Sequence, residues 1–280
     1  MNIDRIVVTT FPGYFFSQIL CLRSIQRHAA GFPIDIIIDD FGLAHWPSYV
    51  QDCKQYILAN FPDLDITFHC FSEFAGMDKV KTGGWFRQQL VKLYLDQFVS
   101  GQHWLLVDAD VCFEESPELS RISATVRRDF SPVDIGNRLY AEFMLNCEQP
   151  WAVRDDEYWC MSGVPFRPVD RTLLQNLRQH IESIHSKTVF DLHLDLFENS
   201  QLVAFDPAGQ TMIMSEFQLI EIFRHRYSSF PLPIGLHAAS KFSHTSIKDW
   251  KHDRVWFEQQ HVSVSEQHWQ HSQQFGQHHV

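Results

Sequence analysis

The sequence predicts an α/β fold around a parallel sheet, and the first forty residues carry most of that prediction. Residues 5–10 (RIVVTT) and 34–38 (IDIII) are short β-branched runs, and residues typical of turns follow each of them. Residues 14–28, which lie between the two runs, place apolar side chains at helical spacing. A strand, a helix and a second strand in this order predict the opening of a parallel sheet with helices packed on it.

The rest of the chain continues this pattern as far as a proline-rich middle. Helices are predicted at 46–60, 84–98, 170–186 and 215–224, and strands at 64–70 and 104–107. Asp170 is the expected N-cap of the helix that follows it. Residues 72–82 predict a loop, and residues 117–170, with five prolines, predict irregular structure and short strands. We expect one domain over residues 1–257 and a loosely ordered His- and Gln-rich tail over 258–280.

Composition and charge exclude several classes of protein. Hydrophobic residues make up 45% of the chain, which is a globular profile. The net charge of -11 gives no general attraction to nucleic acid or to anionic membranes, so binding of an anion requires a local device such as a metal. No apolar run is long enough for a spanning helix, and the N-terminus lacks the pattern of a signal peptide. None of the six cysteines forms a C-x-x-C pair, so we expect reduced thiols and a cytoplasmic location.

The segment WLLVDADVCF contains the most informative motif. Asp108 and Asp110 follow a buried strand, at the strand end where open α/β sheets bind ligands. Two carboxylates one residue apart are costly there unless a cation lies between them. Mg²⁺ or Mn²⁺ accepts such carboxylates and completes its coordination with water and substrate phosphates. The alternative interpretation is that Asp108 caps a helix or that Asp110 fills a turn.

The same motif fits a second family of enzymes. In phosphohydrolases of the haloacid-dehalogenase type, the first Asp of a strand-end D-x-D-V is the nucleophile and the second is a general acid. Asp108 and Asp110 would take these roles. In that family, however, the motif usually opens the chain, and the later acidic pair Asp155-Asp156 does not follow a clear buried strand. A phosphohydrolase therefore stays the alternative.

Polar side chains precede the acidic motif on one predicted helix. Trp85, Gln88 or Gln89, and Lys92 share a face at helical spacing, and they could bind sugar hydroxyls and a phosphate. A solvated polar face with Trp85 partly buried is the other interpretation. Thr9 ends the first strand and Asp39 follows the second, where a carboxylate could accept bonds from a ribose or a base, unless both serve ordinary strand-end turns.

Together these motifs resemble a known family. G-W-x-x-Q-Q-x-x-K-L (Gly84 to Leu93), then D-x-D, then S-E-F (Ser215 to Phe217) are similar to an uncharacterised group of bacterial and viral proteins classed as candidate glycosyltransferases. The resemblance spans about residues 5–225. It implies a GT-A-like fold, which is a Rossmann-type mixed sheet flanked by helices, with a nucleotide-binding half (1–115) and an irregular acceptor half (116–257).

The resemblance also implies an activity and its partners. The enzyme would be a hexosyltransferase-like glycosyltransferase that moves a sugar from a nucleoside diphosphate sugar, with a UDP-sugar favoured, to a hydroxyl of a glycan or lipid-linked acceptor. Asp108 and Asp110 would hold Mn²⁺ or Mg²⁺, and Asp110 would thereby take part in catalysis. The donor would be bound by the residues already singled out: Thr9, Asp39, Trp85, Gln88, Gln89, Lys92 and Asp108. A non-catalytic sugar-binding protein would need no metal, and it stays a further alternative.

Glu216 and the C-terminal segment complete the implied site. Glu216 would face the acceptor hydroxyl as a general base or a binding group, with Glu221 a weaker candidate; alternatively, Ser215 and Glu216 only cap a helix. Some metal-dependent retaining glycosyltransferases end in H-x(n)-K-P-W, and His244…Lys248-Asp249-Trp250 is similar to that element. His244 would then be a third metal ligand, in competition with His237, and Lys248 would bind the diphosphate.

Overall fold

Strands and helices alternate through the first hundred residues, as predicted. The computed structural model describes residues 3–11, 14–41, 46–81, 84–113, 124–127, 132–147, 152–154, 157–159, 166–198, 214–227, 234–235 and 242–244. Its strands are β1 (Arg5–Thr10), β2 (Ile34–Ile38), β3 (Ile66–Cys70), β4 (His103–Asp108), β5 (Val111–Phe113), β6 (Ala124–Arg127), β7 (Ala152–Arg154), β8 (Glu157–Trp159), β9 (Phe166–Asp170), β10 (Ile234–Gly235) and β11 (Phe242–His244). Its helices are α1 (Phe15–His28), α2 (Trp46–Asn60), α3 (Gly84–Lys92), α4 (Pro132–Leu145), α5 (Arg171–His185), α6 (Val189–His193) and α7 (Glu216–Tyr227).

A five-stranded, mostly parallel sheet confirms the predicted α/β class. Its strand order is β3-β2-β1-β4-β9, and helices flank it. β1 pairs in parallel with β2, and β2 pairs in parallel with β3, so that Val8, Ile36 and Phe68 lie side by side. All five residues of β2 are buried: four are isoleucines, and the fifth, Asp35, forms an ion pair with Arg5.

Two compact units divide the chain. One unit, called unit 1 here, comprises Met1–Ile3, Phe74–Trp104 and Leu119–Ala239. The other, unit 2, comprises Asp4–Glu73, Leu105–Glu118 and Ser240–Val280. In unit 2, α1 packs against β5, and β5 pairs antiparallel with β11. In unit 1, four short strands form a second sheet in the order β10-β6-β8-β7. The predicted domain halves, divided at residue 115, stay predictions.

The predicted N-cap of α5 is confirmed, because Asp170 Oδ1 accepts a hydrogen bond from Leu173 N at 2.7 Å. The helix predicted over 84–98 is shorter: α3 ends at Lys92, and a single 3₁₀ turn follows at Leu95–Gln97. The reason lies in α5. Arg178 Nη1 donates to Leu93 O, a carbonyl that a longer helix would have bonded to its own backbone.

The middle of the chain is more regular than the sequence predicts. α4 lies within residues 117–170, where irregular structure and short strands were expected. Pro132 is the first residue of α4, a position that tolerates proline because the missing N–H would have had no partner within the helix. The proline marks a helix start here and was wrongly taken as a sign of irregular structure. Within the described ranges, no helix is long and apolar enough to cross a membrane.

Candidate functional site

Three aspartates lie at or just after the ends of strands, and we call Asp39, Asp108 and Asp110 the acidic edge. Asp108 is the last residue of β4, and the four residues before it, Trp104 to Val107, are at most 1% exposed. Asp110 lies in the turn between β4 and β5. Asp108 and Asp110 are both partly exposed, so a ligand can reach them, whereas Asp39, which follows β2, is 2% exposed.

Hydrogen bonds hold the ends of β1 and β2 together. Asp39 N donates to Thr10 O at 2.8 Å, and Asp39 Oδ1 accepts from Phe41 N at 3.1 Å. Ser72, which follows β3, donates its backbone N–H to Asp40 Oδ1 at 2.9 Å. Thr9 is fully buried at the end of β1. These hydrogen bonds connect the ends of the three parallel strands. The predicted nucleotide-binding residues Thr9 and Asp39 lie in this connected region.

Tyr14 is a residue near the acidic edge that the sequence analysis missed. Burial, followed by the charges of Asp110 and Asp108, raises the pKa of Tyr14 to about 12. Tyr14 follows the end of β1 directly before α1, so β4 and β1 end at the same edge of the sheet. Burial also raises the pKa of Cys21 well above its ordinary value, with Cys112, Asp110 and Asp108 adding to the effect. Burial is the largest cause of both shifts, and the contributions of Asp108 and Asp110 place Tyr14 and Cys21 near the acidic pair.

The two predicted aspartate ligands fit a hard divalent cation. Partly exposed carboxylate oxygens in a negative potential are the donors that Mg²⁺ and Mn²⁺ prefer. The third predicted ligand, His244, lies in β11, and its backbone pairs with Val111, the residue after Asp110. Among the side chains that the structure describes, no group of three or more histidine, cysteine or acidic residues is placed to hold a metal. Lys248 and His237 lie outside the described residues.

In unit 1, two of the predicted site residues form an ion pair. Lys92 Nζ lies 2.8 Å from Glu216 Oε1, and both side chains are 1% exposed. We call Lys92 and Glu216 the buried pair. The Lys92 ammonium also lies over the Phe217 ring, 4.3 Å from its centroid. Two charges removed from water stabilise each other only in close contact, so each of these residues is a structural partner of the other.

The start of α7 is fixed by two further hydrogen bonds. Glu216 N donates to Gln89 Oε1 at 3.2 Å, which joins α7 to α3. Ser215 Oγ accepts from Gln218 N at 3.3 Å, so Ser215 caps the helix. The sequence placed Gln89 and Lys92 on one helix face and singled out Glu216 in a separate motif, and the structure brings these three together. The local pattern could not reveal this, because it says nothing of contacts between distant segments.

The structure gives less information about the remaining predicted residues. Trp85 and Gln88 lie in α3, and Gln88 is partly exposed. Glu221, the weaker catalytic candidate, is fully buried on α7, where its Oε1 lies 3.5 Å from Arg224 Nη2. Arg224 in turn donates to Pro168 O, which ties α7 to β9. Asp155 and Asp156, the acidic pair that a phosphohydrolase would use, lie outside the described residues.

Comparison with known proteins gives one family match. Residues 18–132 match the model of a family of unknown function, DUF6492. This segment is less than half of the chain, and it includes Asp39 and the D-x-D motif. No curated protein matches the sequence.

Solved structures resemble the fold at low sequence identity. The galactosyltransferase LgtC, in complex with donor and acceptor sugar analogues, is 12% identical with a TM-score of 0.49, over 96% of this chain and 99% of that one. Mouse xyloside xylosyltransferase 1 is 12% identical with a TM-score of 0.45, over 83% and 85% of the two chains. The inositol-1-phosphate CTP transferase of T. maritima is 9% identical with a TM-score of 0.41, over 91% and 94%. We draw no conclusion about activity from similarities at this level.

Proposed function

We propose that this protein is a metal-dependent glycosyltransferase. It moves a sugar from a nucleoside diphosphate sugar, with a UDP-sugar favoured, to a hydroxyl of a glycan or lipid-linked acceptor. One observation carries the proposal: Asp108 and Asp110 lie at the end of β4, beside the end of β1. The chain runs from β1 outward to β3 and then returns to β4 on the other side of β1, so this is the point where strand order reverses and α/β sheets bind ligands.

Asp108 and Asp110 are the proposed metal ligands, together with His244. Mn²⁺ or Mg²⁺ bound there would neutralise the diphosphate leaving group. The acidic edge alone would repel a diphosphate, and a cation bound there would offset that repulsion in a chain whose net charge is -11. The pairing of the His244 backbone with Val111 supports the choice of this histidine over His237.

The nucleoside is the proposed ligand of Thr9 and Asp39. A buried carboxylate is a strong acceptor, and Asp39 could receive hydrogen bonds from ribose hydroxyls or from a base N–H in addition to the one from Phe41 N. Its backbone bond to Thr10 O would hold it in place before the nucleotide arrives. Positioning of this kind lowers the cost of binding, because fewer groups are ordered on association.

The sequence motifs supply further candidates for contacts to the donor and the acceptor. Trp85, Gln88, Gln89 and Lys92 are the candidates for the donor sugar and phosphate, and Lys248 is a further phosphate ligand. Glu216 is the candidate for activation of the acceptor hydroxyl, a role that requires the contact with Lys92 to open, because both side chains are 1% exposed. The ion pair with Lys92 would favour the ionised carboxylate that a general base requires.

Thermal unfolding with added ligands tests the proposal. The purified protein is heated with UDP, GDP or inorganic phosphate, each with and without Mn²⁺. We expect the melting temperature to rise only when a nucleoside diphosphate and Mn²⁺ are both present, because a ligand that binds the native state stabilises it. Asp110→Asn should abolish the rise. Asp65→Asn is the matched control: Asp63 and Asp65 form a second D-x-D, which precedes β3 and is exposed.

Two results would contradict the proposal. A rise with Mg²⁺ and phosphate but with no nucleotide would indicate a phosphohydrolase, and Asp108→Asn should then abolish phosphate release from a model phosphomonoester. Nucleotide-sugar binding that needs no metal and survives Asp110→Asn would indicate a non-catalytic binding protein. Release of UDP from a UDP-sugar, measured with and without a glycan acceptor, separates that case from a transferase.

A further inference from the structure

A lysine and a cysteine of unit 2 are in direct contact. Lys54 lies on α2, Cys70 is the last residue of β3, and Lys54 Nζ donates a hydrogen bond to Cys70 Sγ at 3.2 Å. Phe68 and Cys70 are two positions apart on β3, so they share one face of the strand. The Lys54 ammonium lies 5.7 Å from the centroid of the Phe68 ring. The side chain of Lys54 therefore lies along this face of β3 and brings its amine to the sulfur.

The contact places a nucleophilic group beside an oxidisable one. A lysine ammonium ordinarily stays in water or pairs with a carboxylate. In the part of the chain that the structure describes, no carboxylate forms an ion pair with Lys54. Thiol sulfur is a weak hydrogen-bond acceptor, so the contact contributes little to stability. Its distinctive feature is chemical: an amine, which is a nucleophile when neutral, lies against a sulfur atom that peroxides oxidise.

Small oxidants in solution can reach this sulfur. Cys70 and Lys54 are both partly exposed, whereas Cys21 and Cys53 are buried. Exposure is one condition for the oxidation of a thiol, and the presence of the reactive thiolate is the other. Exposure therefore distinguishes Cys70 from these two buried thiols of the same unit.

The charges around Cys70 control how fast it reacts. Burial has the largest effect and raises the pKa of the thiol, and the hydrogen bond from Lys54 opposes it. The carboxylates of Asp40 and Glu73 raise the pKa further, whereas the charge of Lys54 lowers it. The net pKa is raised, so the thiolate fraction at neutral pH is small, and oxidation should become faster as the pH rises. Lys54 favours the thiolate while it is charged and is a nucleophile once it is neutral.

We propose that Lys54 and Cys70 form a modification site at which hydrogen peroxide joins the two side chains by a sulfenamide bond. In the first step the peroxide O–O bond breaks, one oxygen is added to the Cys70 sulfur as a sulfenic acid, and the other leaves as water. In the second step the neutral Lys54 amine attacks that sulfur, so that an S–N bond forms and the S–O bond breaks. The departing oxygen takes a proton from the amine and leaves as a second water. Sulfur is oxidised by two electrons, and the peroxide is the only oxidant required.

The bond would join α2 covalently to the end of β3. Lys54 and Cys70 are 16 positions apart, and a bridge across a loop of this size stabilises a fold because it restricts the unfolded chain. Ser72, two positions after Cys70, donates its backbone N–H to Asp40 Oδ1, so the joined segment is also bonded to the residues after β2. Thiols reduce oxidised sulfur of this kind. The bridge is therefore a reversible lock on this end of the sheet.

Peptide mapping of the oxidised full chain tests the proposal. The protein is treated with hydrogen peroxide, denatured, blocked at its remaining thiols with iodoacetamide and cleaved before aspartates without a reductant. Mass spectrometry should find residues 52–62, which contain Lys54, joined to residues 65–77, which contain Cys70. The joined mass should be lower than the sum of the two peptides by two hydrogen atoms, and dithiothreitol should separate them. Cys53 should carry the blocking group, which distinguishes the bridge from a disulfide between Cys53 and Cys70.

Lys54→Arg is the matched variant, because it keeps the positive charge but a guanidinium does not lose its proton and cannot attack sulfur. The sulfenic acid of Cys70 should then accumulate, and dimedone should label it without any joined peptide. Cys147 is the internal control, since it is partly exposed and is hydrogen-bonded to the Tyr227 phenol. In the wild type it should be labelled by dimedone and form no bridge to a lysine.

Thermal unfolding of the oxidised protein gives a second readout. The bridge should raise the melting temperature by about 5 °C, and the rise should be absent from Cys70→Ser and after treatment with dithiothreitol. An equal rise in Cys70→Ser would overturn the lock.

Two results of the peptide map would overturn the modification site itself. One is a wild-type protein in which Cys147 is oxidised and Cys70 is not. The other is equal dimedone labelling of Cys70 in wild type and Lys54→Arg, because Lys54 would then not consume the sulfenic acid. The wild-type map requires no substitution, so it decides the question even if a variant does not fold. None of these measurements uses a nucleotide or a metal, so their results are independent of the proposed function.

Discussion

Asp110 of the acidic edge and Glu216 of the buried pair are carboxylates of similar sequence prominence in opposite environments. Asp110 lies partly exposed in a turn, where water or a ligand can replace any partner it has. Glu216 is 1% exposed and lies 2.8 Å from a lysine that is buried to the same extent. Removal of a charge from water is costly unless a partner compensates for it. The difference shows that a motif identifies a carboxylate, whereas its surroundings decide whether it is available to a ligand or committed to the fold.

Breaking the buried pair should give the largest effect on stability. Lys92→Met keeps the length of the side chain and removes its charge, which leaves Glu216 buried without its cation. We expect a loss of about 3–5 kcal/mol in the free energy of unfolding, measured by urea denaturation. Lys187→Met is the control, because Lys187 and its partner Asp195 are 53% and 40% exposed, and it should change the urea midpoint very little.

A double variant sharpens this test. Lys92→Met combined with Glu216→Met replaces both charges by apolar side chains of similar size, so it should recover most of the stability lost in the single variant. A small effect of Lys92→Met alone would contradict the contrast drawn here. It would mean that Glu216 finds compensation elsewhere, and that the pair is as available to ligands as the acidic edge.

Substitution of Arg171 tests whether other charged residues of unit 1 also stabilise the fold. Its guanidinium donates to the carbonyls of Asp96 at 2.7 Å, Val99 at 2.7 Å and Gly101 at 3.0 Å. Arg171→Ala removes these three hydrogen bonds, two of which are partly buried, and we expect a loss of about 2 kcal/mol in urea denaturation. Arg171→Lys should recover only part of it, since a lysine cannot reproduce the fork of donors. An effect as small as that of Arg27→Ala, at an exposed position of α1, would show that the contacts contribute little.

Features set by local sequence could be predicted, and features set by distant contacts could not. The N-cap of α5 needs only Asp170 and the backbone three residues on, and it was confirmed. The end of α3 depends on Arg178 from another helix, so the prediction overran it. The buried pair depends on α3 meeting α7, and no periodicity encodes that contact. At the acidic edge, the sequence predicted that Asp108 lies at the end of a buried strand. The position of Tyr14 near Asp108 could not be predicted, because it depends on β1 and β4 ending at the same edge of the sheet.

A smaller effect is expected from a buried histidine of unit 1 when the pH falls. Burial lowers the pKa of His193 to about 3, from an ordinary value of 6.5. The unfolded chain therefore binds more protons than the folded chain between these two values, so stability falls as the pH drops below 6.5. At about pH 5.5 the loss from this group should be about 1.4 kcal/mol.

Urea midpoints measured between neutral and mildly acidic pH check this expectation. His193→Gln should flatten the decline, and His28→Gln at the end of α1 controls for the loss of a histidine. Burial also lowers the pKa values of His180 and His225, so part of the decline should remain in His193→Gln. A decline that is identical in wild type and His193→Gln would show that His193 does not contribute to it.

The smallest change in stability is expected at the acidic edge. Asp108 and Asp110 carry like charges one residue apart, and their mutual repulsion opposes folding in the absence of a cation. Asp110→Asn relieves that repulsion, so without metal the variant should be as stable as the wild type or more stable by up to about 0.5 kcal/mol. The gain should shrink at high salt, which screens charges near the surface. Asp65→Asn, in the exposed D-x-D before β3, should show less of this salt-dependent gain. A clear loss of stability in Asp110→Asn would mean that the fold already depends on this carboxylate. Asp110 would then be a structural residue like Glu216, and it would not be available to a ligand.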